Sequence, residues 1–129
     1  MTGGSELLFV YGTLRFPEVL EALLGRVPEH SPAEAAGWRA AALQEHVFPG
    51  LVPAASTTVR GVLLLGLTAE DRRRLDAFEG DAYALRSITL ADGRQARAYV
   101  WLGEVLPEDW DADTFAHRDL AAYTARLRT

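Results

Sequence analysis

One carboxylate in the sequence stands where it could move protons. Glu79 ends residues 75–79, whose spacing predicts the last turns of a helix, and Gly80 follows as a stop signal. A helix C-terminus carries partial negative charge and burial beside Phe78 would add desolvation, and both raise the pKa of a carboxyl group. Glu79 is therefore our candidate general base and proton shuttle. The alternative is a surface glutamate that only precedes a helix-ending glycine.

A second segment could hold an anion with its backbone. The apolar residues 7–11 predict a strand, and Gly12, Thr13 and Leu14 turn the chain into a helix that begins near Pro17. Backbone N–H groups at such a junction point the same way and can bind a carboxylate or a developing oxyanion. Gly12 would let a ligand approach closely, and Thr13 adds a hydroxyl. The alternative is an ordinary turn, with the tyrosine at the strand end as a core residue.

Strands and helices alternate along the chain and must position these residues. Helical spacing over Pro17–Leu24 stops at Gly25, and Thr68 with Asp71 resembles a capping box that opens the helix ending at Glu79. Further strands are predicted at residues 33–47, 59–67, 85–90 and 96–102, the last two joined by a turn at Asp92 and Gly93. A C-terminal helix, capped by Asp111 or Asp113, carries one apolar stripe made of Ala112, Ala116, Leu120, Tyr123 and Leu127. Five or six strands with three helices indicate an α+β fold.

Composition limits the classes of function. The 129 residues, 49% hydrophobic and 24% charged, suit one globular domain at residues 6–129 that follows a flexible N-terminus at residues 1–5. The chain has no cysteine and no lysine, which excludes thiolate and Schiff-base chemistry. The net charge of −5 argues against nucleic acid as a partner, and three histidines without ligand spacing argue against a metal site. Without a membrane-spanning run or a signal sequence we expect a cytoplasmic protein, and the alanine- and arginine-rich composition is typical of a high-GC bacterial gene.

Five landmarks follow one another in a specific order between residues 7 and 123. They are Tyr11-Gly12-Thr13-Leu14, the turn Pro49-Gly50-Leu51, a strand that starts at Gly61, the segment Leu75-Asp76-x-x-Glu79-Gly80, and Tyr83. In this order they resemble the gamma-glutamylcyclotransferase-like superfamily, nearest its small AIG2-like branch. The resemblance implies a small, closed or partly closed mixed β-barrel flanked by helices. It also implies that the active cavity lies at the end of the barrel where the first strand turns.

The resemblance implies an activity as well. Enzymes of this superfamily cleave a γ-glutamyl amide by letting the substrate's own α-amine attack its γ-carbonyl, which gives 5-oxoproline and a free amine without a cofactor. Glu79 matches the catalytic glutamate, and the residues that match the substrate-binding positions are Tyr11, Gly12, Thr13, Leu14 and Tyr83. The usual Tyr-x-Arg spacing is broken, because Arg86 stands one residue late and so falls on the opposite face of a strand. We therefore leave Arg86 outside the site.

Two other functions fit the same residues. A non-catalytic domain could retain the cavity to bind a small molecule, although the presence of Glu79 speaks against a domain that has lost catalysis. An amidase could use Glu79 to activate water instead of an amine. For the leading hypothesis we expect a monomer that takes a small γ-glutamyl substrate, with no metal, cofactor, nucleic-acid or membrane partner.

Overall fold

A curved five-stranded sheet forms the centre of the protein in the computed structural model, which describes residues 7–128. The strands are β1 (Leu8–Val10), β2 (Glu29–Ala41), β3 (Gly50–Leu65), β4 (Tyr83–Thr89) and β5 (Gln95–Trp101). Their order across the sheet is β2-β3-β1-β5-β4. Since β1 runs antiparallel to β3 and parallel to β5, the sheet is mixed. The flexible segment expected at residues 1–5 lies outside the described residues, and the single domain at 6–129 stays a prediction.

The long strand β3 closes the sheet partly into a barrel. Its residues 62–64 pair with β1, whereas near its start Leu51 pairs with Val100 of β5. The prediction that a strand starts at Gly61 is wrong, because Gly61 lies inside β3. A Cβ atom at Gly61 would stand 2.4 Å from the carbonyl oxygen of Val10, so only glycine allows β3 and β1 to come this close. The predicted α+β fold built on a mixed barrel is confirmed.

Helices pack on the outer face of this sheet. They are α1 (Pro17–Leu24), α2 (Ala69–Glu79), α3 (Ala112–Arg118) and α4 (Leu120–Leu127), with a short 3-10 turn at Thr13–Arg15. Alternate residues of β1 serve the two faces, because successive strand side chains point to opposite sides. Leu8 and Val10 pack among apolar side chains of α1, α2 and α4, whereas Phe9 and Tyr11 pack inside the barrel.

Local signals for two helices are confirmed. Helix α1 ends at Gly25, whose φ of 78° is the left-handed conformation typical of a helix end. At the start of α2 the Thr68 hydroxyl accepts a hydrogen bond from the Asp71 N–H and the Asp71 carboxylate accepts one from the Thr68 N–H, each 3.0 Å long. Arg26 forms an ion pair with the same carboxylate. The capping box therefore also connects α2 to the segment that follows α1.

Two predicted strands have bounds that differ from the prediction by more than two residues, whereas β4 and β5 differ from theirs by one or two. The strand expected at residues 33–47 is β2, and it begins earlier because Glu29 pairs with Leu65 at the far end of β3. This pairing holds residues 29–32 in a strand although their polar and proline side chains carry no strand signal of their own. Residues 42–49 form the loop between β2 and β3. The strand expected at residues 59–67 is only the second part of β3, which ends at Leu65.

The C-terminal helix is divided, so four helices form where three were predicted. Asp119, with φ of −117°, separates α3 from α4, and Asp111 caps α3 by accepting hydrogen bonds from the N–H groups of Asp113 and Thr114. Phe115 of α3 is buried, and its ring lies edge-to-face on that of Tyr123 of α4, with 5.4 Å between the ring centroids. Within residues 7–128 no helix combines the length and apolar character needed to span a membrane.

Candidate active site

A cavity opens where β1 ends, and we call it the Glu79 cavity. It has a volume of about 570 Å³, including its open mouth. Its walls come from the end of β1 and the following turn, the loop before β3, the end of α2, the β4–β5 hairpin and α4. It brings together all six residues that the sequence suggested for a site, which are Tyr11, Gly12, Thr13, Leu14, Glu79 and Tyr83.

Glu79 is the last residue of α2 and lines this cavity. The residue as a whole is half-buried, but its carboxyl group is desolvated, and this raises the pKa of Glu79 from 4.5 to about 8. Among residues 7–128 no side chain or N–H group forms a hydrogen bond or ion pair with the carboxylate that would offset the desolvation. A carboxyl group with this pKa exchanges its proton near neutral pH and can act as a base or an acid.

Four tyrosines line the cavity together with Glu79. They are Tyr11, Tyr83, Tyr99 and Tyr123. Burial raises the pKa of each hydroxyl, and the charge of Glu79 raises it further. The four side chains therefore stay protonated and neutral. Sequence reasoning did not assign Tyr99 or Tyr123 to the site: Tyr123 stood out only as part of an apolar stripe, and no local signal marks Tyr99 within β5.

Two tyrosine hydroxyls connect the walls of the cavity. Tyr11 donates a hydrogen bond of 2.5 Å to the carbonyl of Tyr99 and accepts one of 3.3 Å from the N–H of Leu51. The Tyr83 hydroxyl donates to the carbonyl of Pro49 at 2.7 Å. The rings of both tyrosines thus form wall surface while their hydroxyls hold neighbouring backbone in place. Tyr83 therefore attaches the loop before β3 at Pro49, and Tyr11 attaches the first residues of β3 at Leu51.

Thr13 and Leu14 of the 3-10 turn line the cavity. The N–H of Arg15 closes the first bond of the turn with the carbonyl of Gly12 at 3.0 Å, so the N–H groups of Thr13 and Leu14 have no acceptor within the turn. A Cβ atom on Gly12 would lie 2.7 Å from Cγ of Pro49. The sequence suggested glycine here for close approach of a ligand, but contact with the neighbouring loop already requires it.

Other candidate groups lie elsewhere. Arg86 is exposed and does not line the Glu79 cavity, in agreement with its shifted spacing, whereas Leu85 packs against the helix side of the sheet. In the part of the chain that the structure describes, no three His, Asp or Glu side chains converge as a metal site would require. Among residues 7–128, Glu79 is the carboxylate that lines this cavity.

Comparisons with known proteins show the family and the fold. The family described as "Gamma-glutamyl cyclotransferase, AIG2-like" matches residues 8–119. AIG2-like protein C of Arabidopsis thaliana is 32% identical over 120 residues, which are 87% of this chain and 70% of the relative. A solution structure of an Arabidopsis thaliana protein superposes with a TM-score of 0.71 at 24% identity, over 98% of this chain and 91% of the other. A structure named gamma-glutamyl cyclotransferase gives a TM-score of 0.67 at 15% identity, over 97% and 87% of the two chains. The chain belongs to the AIG2-like gamma-glutamyl cyclotransferase family.

Proposed function

We propose that this protein is a cyclotransferase that cleaves a γ-glutamyl amide. The α-amine of the substrate attacks its own γ-carbonyl, and 5-oxoproline and an amine or amino acid are released. The observation that carries the proposal is the position of Glu79, whose carboxyl group has a pKa of about 8, in a cavity that Thr13 and Leu14 of the turn after β1 also line.

The protein does not need to supply a nucleophile for this reaction, because the nucleophile belongs to the substrate. The attacking nitrogen starts as an ammonium and ends as a lactam N–H, so it must lose two protons. The leaving nitrogen starts as an amide N–H and ends as an ammonium, so it must gain two. A single group that takes protons from one nitrogen and delivers them to the other is sufficient, and Glu79 is suited to this role.

Substrate binding would set Glu79 in its active state. In the free cavity the raised pKa keeps most Glu79 side chains protonated at neutral pH. A substrate ammonium placed beside the carboxyl group favours its ionised form and lowers its pKa again. The carboxylate then accepts a proton from the ammonium, which frees the amine lone pair for attack, and the neutral acid can protonate the leaving nitrogen.

The turn after β1 would hold the negative end of the substrate. Among residues 7–128 no arginine or histidine lines the Glu79 cavity, so the described side chains there offer no positive charge to a carboxylate or an oxyanion. The N–H groups of Thr13 and Leu14 can supply these hydrogen bonds, with the Thr13 hydroxyl beside them. The lining combines aromatic and apolar side chains with a few polar groups, as is usual for small-molecule sites, which favours a small substrate that folds back on itself.

A product assay tests this proposal against its two rivals. The purified protein is incubated with a panel of γ-glutamyl amino acids and γ-glutamyl amines, and 5-oxoproline and glutamate are quantified by mass spectrometry. Release of 5-oxoproline supports the cyclotransferase. Glutamate without 5-oxoproline would identify an amidase in which Glu79 activates water, and binding without either product would identify a non-catalytic domain.

A further inference from the structure

The barrel has a second opening, which the Glu79 cavity does not use. Strand β3 pairs with β5 at Leu51 and with β1 at Val62. The part of β3 between these two pairings borders the opening, together with Arg15 of the 3-10 turn. A cavity of about 540 Å³, including its open mouth, lies at this opening. We call it the Arg15 cavity, because Arg15, the last residue of the turn, lines it. Tyr11 forms a wall common to both cavities.

Arg15 brings a positive charge that its surroundings do not balance. It is half-buried, and within residues 7–128 its guanidinium group forms no hydrogen bond and no ion pair. The two other cations around this cavity are balanced: Arg39 pairs with Asp109 at 2.8 Å, and Arg60 pairs with Glu34 at 3.4 Å. Three positive and two negative side chains leave one uncompensated positive charge, in a protein whose net charge is −5.

The remaining lining favours an anion with an apolar body. Tyr11 and Trp110 are aromatic residues of the lining, and Thr58 is a polar one. The guanidinium fork of an arginine matches the two oxygens of a carboxylate, and one uncompensated charge suits a monoanion better than a dianion. We propose that the Arg15 cavity is a binding site for a small monocarboxylate.

This site is separate from the proposed reaction. The Tyr11 side chain, held by its hydrogen bonds to Tyr99 and Leu51, stands between the two cavities. Binding at Arg15 can therefore be measured even if the protein shows no catalytic activity. The assignment stands or falls independently of the activity of Glu79.

A titration with matched probes tests the assignment. Benzoate and its neutral analogue benzamide are each added to ¹⁵N-labelled protein, and backbone amide shifts are followed by NMR. Benzoate should shift the signals of Arg15, Thr58 and Arg60 saturably, and benzamide should not. Arg15→Gln should weaken benzoate binding by about tenfold, the loss expected when one charge-assisted pair is removed. Arg94→Gln, which removes an exposed arginine paired with Asp92, should leave binding unchanged.

Further arms separate charge from shape and carboxylate from phosphate. Arg15→Lys keeps the charge and should retain part of the affinity, and a thermal unfolding curve shows that each variant is folded. The proposal is overturned if Arg15→Gln, when folded, binds benzoate as the wild type does. It is also overturned if benzamide binds equally well, if inorganic phosphate binds more tightly, or if benzoate shifts only residues around Glu79.

Discussion

The hydroxyl of Tyr99 donates a hydrogen bond of 2.5 Å to the carboxylate of Asp76. Asp76 lies three residues before Glu79 on α2, so the two side chains share one face of the helix. Tyr99 belongs to β5 and lines the Glu79 cavity. This bond therefore attaches the last turn of α2 to the sheet beside the point where Glu79 enters the cavity.

Tyr99→Phe should destabilise the protein and slow turnover. Loss of this hydrogen bond to a charged group should lower the free energy of unfolding by about 1 to 2 kcal/mol, measured by urea denaturation. The rate constant kcat should fall because the end of α2 is held less firmly. Tyr123→Phe is the matched control, since its hydroxyl lies 3.5 Å from Oγ1 of Thr13 and should contribute less than about 0.5 kcal/mol. Equal effects of the two substitutions would show that the bond to Asp76 has no special role.

Glu79→Gln should abolish most 5-oxoproline release while the fold persists. Glutamine keeps the shape of the side chain but cannot accept the proton, and loss of a general base typically lowers the rate by roughly 10²- to 10⁴-fold. Glu70→Gln is the control, because Glu70 is an exposed glutamate of the same helix that pairs with Arg73 and Arg74. Near wild-type turnover by the Glu79 variant of an active enzyme would remove Glu79 from the mechanism.

The raised pKa of Glu79 also predicts how stability depends on pH. In the unfolded chain its pKa is near 4.5, whereas in the native state it is about 8. Between these values the native state holds a proton that the unfolded state has lost, so the stability that this group contributes at low pH is lost as pH rises through this window.

Glu79→Gln removes this titration and provides the measurement. Its free energy of unfolding relative to the wild type should rise between pH 5 and pH 8, by at most about 1.4 kcal/mol per pH unit and by less where solvent screens the half-buried group. Urea denaturation across this range measures the difference, and Glu70→Gln should show no such trend. A constant difference would mean that the carboxyl group ionises normally in the folded protein.

Gly12→Ala should destabilise the protein through Pro49 rather than through a ligand. The new Cβ atom would lie 2.7 Å from Cγ and 2.8 Å from Cδ of Pro49, and overpacking of this kind costs about 1 to 3 kcal/mol. Pro49→Ala removes both contacting atoms, so the double variant should recover most of the loss. Additive effects in the urea denaturation of the two single variants and the double variant would contradict this contact.

Several elements could be predicted because their signals are local. The capping box of Thr68 and Asp71, the stop at Gly25 and the turn at Asp92 and Gly93 depend on hydrogen bonds or backbone angles within a few residues, and all three form. The extent of β2 could not be predicted in this way. Residues 29–32 are strand only because β3 continues far enough to pair with them.

The sequence by itself determined the helices α1 and α2, the mixed α+β character and the six candidate site residues, since helix caps, glycine stops and the order of landmarks can be read along the chain. Only the tertiary structure decided that Tyr99 and Tyr123 line the same cavity, that Pro49 rests against Gly12, and that Arg15 faces a second cavity. These facts depend on contacts between residues far apart in the chain. They arise from the way β3 bends around β1, and no local pattern encodes that path.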